Sequence, residues 1–283
     1  MIDNLKSAFF SANLHYFLPH ISQSCHEDIF RRWNSYHTSA SCKNISFPEI
    51  GRLKKSPVGI IALYHLGSHL QNINYLAAVG VKFDIVITKS LTQKYQDYFN
   101  ALIEKNKLNF QPKFLDAQDP YVLLKVRNSI FEQRYVIIFA DGFVGADSKS
   151  KDLLPVNFFR KKLYVRKGIA LISFILSLNI YPIVQRYNGY NTVLRLQSII
   201  RPRPQENKDG YAIRCMNDLF YILKQTIKDK LYLWECWSYL HLYHTIQINP
   251  SSRKKIAPKS DMKRINIGNK TLYFDILNYR FFE

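Results

Sequence analysis

From Pro57 to Asp141 the chain alternates between short apolar runs of strand length and longer stretches of helical spacing, and this alternation limits the fold more than any other feature of the 283 residues. Val58 to Tyr64 is a continuous apolar run, and Gly67 punctuates it before a helical stretch from Leu70 to Ala78. Val81 to Thr88 reads as the next strand and Leu91 to Lys105 as the next helix. Lys113 to Leu115 is a short strand signal, and Pro120 opens a further helix at a position where a missing N–H costs nothing. Tyr135 to Phe139 is a strong strand that stops at Ala140-Asp141-Gly142. The order β-α-β-α-β-α-β predicts an α/β fold, a mostly parallel central sheet flanked by helices. In open sheets of this kind ligands sit beyond the carboxyl ends of the strands, which singles out His65 after the first strand and Asp141 after the fourth.

The flanks read differently. Leu5, Phe9, Phe10, Leu14, Phe17 and Leu18 recur at helical spacing, and Pro19 ends that helix, so the first 50 residues are expected to be amphipathic helix and loop. After Asp141 comes a basic, aromatic segment from Lys149 to Lys167. The apolar window Gly168 to Val184 falls short of the roughly 20 residues of a membrane span, and Ser173, Ser177, Asn179 and Pro182 interrupt it. It predicts a buried helix running into a strand from Ile180 to Gln185, followed by an antiparallel strand from Thr192 to Ile200. A helix from Tyr211 to Lys228 and the aromatic run Tyr232 to Trp237 close the main body. Beyond Pro250, strand-like segments around a hairpin turn at Gly268-Asn269 form a small β-rich appendage. The organisation expected is a helical segment over 1–50, an α/β domain over 51–248 and a C-terminal appendage over 249–283.

Lysine and arginine number 40 against 21 acidic residues, a formal net charge of +19. Such an excess implies an acidic partner: nucleic acid, an anionic membrane face, or an acidic protein such as an acyl carrier. The densest cluster is Arg160, Lys161, Lys162, Arg166 and Lys167, interleaved with Phe158, Phe159 and Tyr164. Aromatic and cationic residues mixed in this way also suit a single-stranded nucleic acid, but no nucleic-acid-binding motif accompanies them and no nucleic-acid partner is expected. The four cysteines form no CxxC pair and no secretory leader is read, so the expected location is cytoplasmic, with peripheral contact on the inner membrane face allowed by the charge. His65 and His69 stand at the i, i+4 spacing of zinc ligands on a helix, but Gly67 interrupts the pair and no HExxH glutamate is present. No metal is expected.

Several of these segments together carry a resemblance. Tyr64-His65-Leu66-Gly67-Ser68-His69, then Phe139-Ala140-Asp141-Gly142-Phe143-Val144-Gly145, Val156-Asn157-Phe158-Phe159, Gly168 opening an apolar helix, and Tyr181-Pro182 resemble, in order, the motifs of the lysophospholipid acyltransferase superfamily. The nearest branch is that of the lipid A late acyltransferases, and the counterparts run from about Pro57 to His241. The resemblance implies a glycerolipid acyltransferase-like fold and transfer of an acyl group from a thioester, on an acyl carrier protein or coenzyme A, to a hydroxyl or amine. It implies His65 as the general base. The donor it implies is a phosphopantetheine thioester, and it implies no further cofactor. The acidic partner of that histidine falls, in the family pattern, five residues on, and here that position is Leu70. Asp141 is the expected substitute, with Glu235 a remoter one. Ser68 and His69 are expected to orient the base or the acceptor. Gly142 and Phe158 are counted with the substrate-binding residues, and Arg160, Lys161, Arg166 and Lys167 are expected to bind the donor phosphate or the carrier, although Phe158 and Phe159 suit a core better than a substrate contact. Arg160 stands where the pattern has glycine, and Leu70 keeps open a non-catalytic descendant that binds an acylated carrier or a lipid.

Overall fold

A computed structural model of the chain describes residues 2–38, 44–67, 69–106, 110–142, 153–187, 191–242, 245–246, 262–267 and 270–282. Ser68, Gly145, His244 and the turn at Gly268-Asn269 lie outside them. Eight helices and twelve strands are described: α1 (Ile2–Phe17), α2 (Gln23–Thr38), β1 (Asn44–Ser46), α3 (Ile50–Lys55), β2 (Ile60–Leu63), α4 (His69–Ala78), β3 (Phe83–Ile87), α5 (Lys89–Asn106), β4 (Phe114–Asp116), α6 (Val122–Phe131), β5 (Tyr135–Phe139), β6 (Leu153–Phe158), β7 (Lys161–Arg166), α7 (Gly168–Ile175), β8 (Ile180–Tyr187), β9 (Asn191–Leu196), α8 (Lys208–Ile227), β10 (Met262–Ile267), β11 (Lys270–Asp275) and β12 (Arg280–Phe282). None of these helices is long and apolar enough to cross a membrane.

The central sheet has seven strands in the order β1-β9-β8-β2-β5-β3-β4. Strands β8, β2, β5, β3 and β4 run parallel, β9 is antiparallel to β8, and β1 is parallel to β9. This is the mostly parallel α/β sheet that the alternation predicts. β2 and β5 lie at its centre and are apolar throughout, Ile60 to Leu63 all being buried, as strands covered on both faces require. Two main cores fill those faces. One holds α1, α2, α6, α7 and α8 side chains such as Phe10, Phe17, Trp33, Val126, Ile169 and Phe220; the other holds Phe47, Ile73, Leu76, Phe83 and Phe99 from the α4 and α5 side.

The basic segment after Asp141 is a hairpin. β6 and β7 pair from Leu153↔Arg166 to Phe158↔Lys161, turn at Phe159-Arg160, and bury Val156, Phe158, Leu163 and Val165. The period-two burial explains the element: charge covers one face while the other enters the main core. The N-terminal segment holds a second helix beyond the one expected. α2 buries only His26, Phe30 and Trp33, one narrow stripe at i, i+4, i+7, which leaves the rest of its sequence polar. Phe10, Leu14 and Phe17 of α1 belong to the same core as β2 and α8. The C-terminal three-stranded sheet, β10-β11-β12, packs on α1 through Ala8, Ala12, Ile265, Phe274 and Ile276. Tyr279 Oη donates to Asn13 Oδ1 at 2.9 Å, and Asn13 Nδ2 donates to the Trp237 carbonyl at 2.7 Å, linking the C-terminal sheet through α1 to the aromatic run.

Candidate functional site

The register of two strands creates the site. β2 and β5 pair in parallel with Leu63 opposite Phe139, and Ala140 N–H continues the ladder to the Leu63 carbonyl at 2.8 Å. His65 and Asp141 each stand two residues beyond that last pair, so the same offset brings them side by side at the carboxyl end of the sheet. His65 Nδ1 lies 2.9 Å from Asp141 Oδ1, and the His65 backbone N–H reaches Oδ1 at 3.2 Å and Oδ2 at 3.0 Å. Trp234 Nε1 donates to Oδ2 at 2.8 Å. Gly142 closes the turn, its N–H donating to the Phe139 carbonyl at 3.2 Å.

The side chain of Asp141 is fully buried, whereas that of His65 keeps 22% exposure. Burial alone would raise the Asp141 carboxyl, but the charge and hydrogen bond of His65, the Trp234 indole and the His65 N–H outweigh it and hold the carboxyl below its usual 3.8. For His65 burial, the largest influence, pulls the imidazole down; the charge of Asp141, the bond to it and the charge of Glu235 more than offset that pull, and its pKa ends above 6.5. With Nδ1–H held on Asp141, the lone pair sits on Nε2, the arrangement a general base needs.

The segment from Leu231 to Leu242 winds as three short 3-10 turns and straps this corner down. Leu66 bridges Trp234, Gly67 N–H donates to the Leu233 carbonyl at 3.1 Å, and Glu235 N–H donates to the His65 carbonyl at 3.0 Å. Trp33 of α2 holds the same strap through Nε1 to the Trp234 carbonyl at 3.0 Å. Gly67 makes the turn possible. Its φ is +52°, and a Cβ there would lie 2.5 Å from the ring of Tyr36.

A second histidine and acid stand beside the first. His69, the first residue of α4, has its ring 5.0 Å from that of His65, and its Nδ1 is 3.4 Å from Glu235 Oε2. Phe139 forms a wall to both, stacked on His65 at 4.5 Å and edge-on to His69 at 5.3 Å. Burial and then the charge of His65 push the His69 imidazole down to about 3, against the pull of Asp141 and the Gly67 carbonyl. Cys236 Sγ lies 3.8 Å from Asp141 Oδ2 and 2.9 Å from Tyr239 Oη. Burial and the Asp141 charge raise this thiol well above its ordinary value, so it stays protonated. His65, Asp141 and Cys236 bring ligand-type atoms within 4.8 Å of one another, but the Asp141 oxygens already accept from the imidazole, the backbone and Trp234, so the group is a closed hydrogen-bonded network.

The other sequence-marked residues divide by position. Leu70 is half-buried and packs against the α4 and α5 core, and the carboxylate beside His65 is instead Asp141, two residues beyond β5. Phe158 is fully buried, its ring meeting Trp234 at 5.1 Å, Phe17 at 5.4 Å and Trp237 at 6.2 Å. It stands behind the Trp234 that holds Asp141, a core position rather than a substrate contact. Arg160 is exposed at the β6–β7 turn, Lys161 Nζ lies 5.5 Å over the Tyr16 ring, and Lys162 Nζ donates to Asn157 Oδ1 at 2.6 Å. Arg166 ends β7 and Lys167 immediately precedes α7. Sequence reasoning passed over Trp234 as the holder of the carboxylate, Phe139 as the shared wall and the approach of Glu235 to His69. The signal within reach was the aromatic run itself, whose indole donors need partners once buried.

No family model matches the sequence, and no curated protein matches it. Among solved structures the chain is similar to a crystal structure of the 1-acyl-sn-glycerophosphate (LPA) acyltransferase PlsC from Thermotoga maritima, with 12% sequence identity and a TM-score of 0.43, over 83% of this chain and 98% of that one.

Proposed function

We propose that this protein is an acyltransferase that moves an acyl group from a thioester, carried by an acyl carrier protein or by coenzyme A, to a hydroxyl or amine acceptor. The observation that carries the reading is the His65–Asp141 pair: a partly open imidazole with its tautomer set at 2.9 Å by a fully buried carboxylate, at the carboxyl end of the central strands. The ordered motif resemblance from Pro57 to His241 supports the same chemistry.

In this reading Nε2 of His65 takes the proton of the acceptor as its oxygen or nitrogen attacks the thioester carbonyl. The imidazolium that forms sits against Asp141, whose charge stabilises it without taking the proton. Collapse of the tetrahedral intermediate breaks the C–S bond, and the proton passes from His65 to the departing thiolate. The exposed Arg160 and its neighbours Lys161 and Lys162 supply cationic points for a phosphopantetheine phosphate or the acidic face of a carrier, and the same basic surface suits an anionic membrane face.

The test is intact-mass detection of acyl transfer from a panel of acyl carrier thioesters and acyl-CoAs to lysolipid and amine acceptors. His65→Gln is expected to lower turnover by about a hundredfold or more; glutamine can still offer an N–H to Asp141, whereas His65→Ala would also lower the melting temperature by leaving that buried carboxylate without its partner. Absence of turnover by the wild type with every donor, together with tight retention of one acyl carrier, would overturn the enzyme reading and leave a binding module.

A further inference from the structure

We propose that Trp234 is a positioning residue of this site: its indole N–H fixes the plane of the Asp141 carboxylate and tempers the pull of that carboxylate on the His65 proton. This rests on the transferase reading above and deepens it. The His65 backbone N–H is shared between the two oxygens, at 3.2 Å to Oδ1 and 3.0 Å to Oδ2, so it does not by itself fix the carboxylate about Cβ–Cγ. A further donor on one oxygen does. Trp234 Nε1 supplies it on Oδ2 at 2.8 Å, and Oδ1 then faces His65 Nδ1 at 2.9 Å. The indole is itself held in place. It is fully buried, its ring meets Phe158 at 5.1 Å and Trp237 at 5.0 Å, and its backbone carbonyl accepts from Trp33 Nε1 at 3.0 Å. A donor fixed in this way needs no reorganisation when charge develops on the imidazole.

The charges give the second half of the role. An imidazolium against a buried carboxylate that lacks other donors is held so strongly that the base form becomes scarce near neutral pH. The indole N–H places the positive end of its dipole on Oδ2 and draws charge away from the oxygen that faces the ring. Burial pushes the Asp141 carboxyl up, while the charge and bond of His65 and then the bond of Trp234 push it down, with the net below 3.8. Without the indole the carboxylate would act on His65 with less of its charge neutralised, and the imidazole, already above 6.5, would rise further. The other titratable groups near the pair are Glu235, His69 and His37 on the imidazole side and Cys236, Tyr239 and Tyr64 on the carboxylate side. A change at Trp234 removes none of them, so they cancel when variants are compared.

The experiment is Trp234→Phe in the full-length protein, which keeps a ring in the aromatic stack and removes the N–H. Oδ2 retains the His65 N–H at 3.0 Å, so the carboxylate is not orphaned. Proton NMR reads the His65 titration without substrate, and steady-state rates across pH read the transfer. The titration is expected to rise by about half a pH unit or more and the rising limb of the rate profile to move with it. At pH 7 kcat should fall about tenfold with KM changed less than about threefold. Phe158→Leu loosens the packing behind the indole and keeps the N–H, so it should lower the melting temperature and leave the His65 titration in place. In the wild type the Trp234 indole N–H resonance should follow the His65 titration, a readout that needs no substitution. A His65 titration unmoved or lowered by Trp234→Phe, an equal shift with Phe158→Leu, or an indole resonance blind to pH would overturn the positioning role and leave the transferase reading intact. The expected titration shift, in a protein that gives product from no thioester, supports the role of Trp234 and overturns the transferase reading instead.

Discussion

Two histidine–acid pairs stand side by side at the end of β2, and they behave in opposite ways. In the first, a fully buried Asp141 touches His65 at 2.9 Å, and the imidazole is raised above 6.5. In the second, Glu235 keeps 35% exposure and lies 3.4 Å from His69, and the imidazole is pushed down to about 3. The chemical groups are alike; the settings differ. Asp141 is held by an indole, a backbone N–H and a ring at once, with little water to screen its charge, so it pays the desolvation cost of a nearby cation. For His69 burial is the largest influence, and the charge that His65 takes up then disfavours a second one 5.0 Å away. The lesson is that one proton site exists here rather than two, and its place is fixed by burial and contact distance.

Removing the charge that sets the pairs apart should have the largest effect. Asp141→Asn keeps the shape but replaces an oxygen that accepts the His65 proton with a group that can offer one of its own, so the imidazole loses both its tautomer and its counter-charge. Turnover is expected to fall by about 10^3 to 10^4. The rising limb of the pH–rate profile should move to lower pH, because the base form of His65 then appears without the stabilised cation to compete. Steady-state rates across pH 5 to 9 check both, and a variant whose limb stays in place would show that Asp141 does not set the proton affinity of His65.

The second way to sharpen the contrast is the pH dependence of stability, where the rings should pull in opposite directions. The His65 proton is held more tightly in the folded state than in the unfolded one, so its contribution is full below pH 6.5 and is lost as pH rises through the raised folded value. His69, depressed to about 3, contributes above pH 6.5 and loses that contribution as pH falls towards 3. His26 and His37, each lowered to about 4 chiefly by burial, side with His69. For the fully buried His26 the loss on acidification is on the order of 3 kcal/mol. The melting temperature should therefore drop steeply from pH 6.5 to pH 4.5, and a His26→Phe variant should show a shallower drop. Proton NMR should show His65 titrating above 6.5 while His69 stays neutral through that range; a His69 that titrates near 6.5 would erase the contrast between the pairs.

Much of the first pair was legible in the sequence and little of the second. The strand Tyr135–Phe139 has the bounds that its apolar run gives, and β2 sits inside Val58 to Tyr64, because strands buried on both faces announce themselves locally. Two candidate residues at strand ends follow from the parallel alternation. Their contact does not, since it needs β5 to insert between β2 and β3, a choice made by packing over the whole sheet. His69 and Glu235 meet across 166 positions with no periodic signal between them. The β6–β7 hairpin was hidden by its charge, and α2 by a buried stripe of three residues in a polar sequence. Phe158 shows the limit of reading by position: it lies between two site motifs in sequence yet serves the core.

The smallest change expected to disturb both pairs is one methyl group at Gly67, between the two histidines. Its φ of +52° costs a non-glycine residue about 1–2 kcal/mol. The added Cβ would also meet the Tyr36 ring at 2.5 Å, and Tyr36 cannot simply swing away. Its hydroxyl accepts from Gln185 Nε2 at 3.0 Å, and Gln185 in turn accepts from the Asn72 amide on α4 at 3.0 Å, so the ring, the end of β8 and the helix that carries His69 move together. Gly67→Ala should thus lower stability by about 2 kcal/mol in all and shift His69 relative to His65. His65 itself stays tied to β5 through Asp141. The expected outcome in the transfer assay is a larger rise in KM than fall in kcat, because the base is kept and its neighbour displaced. A fall in kcat alone would show that the turn orients the base rather than separating the two pairs.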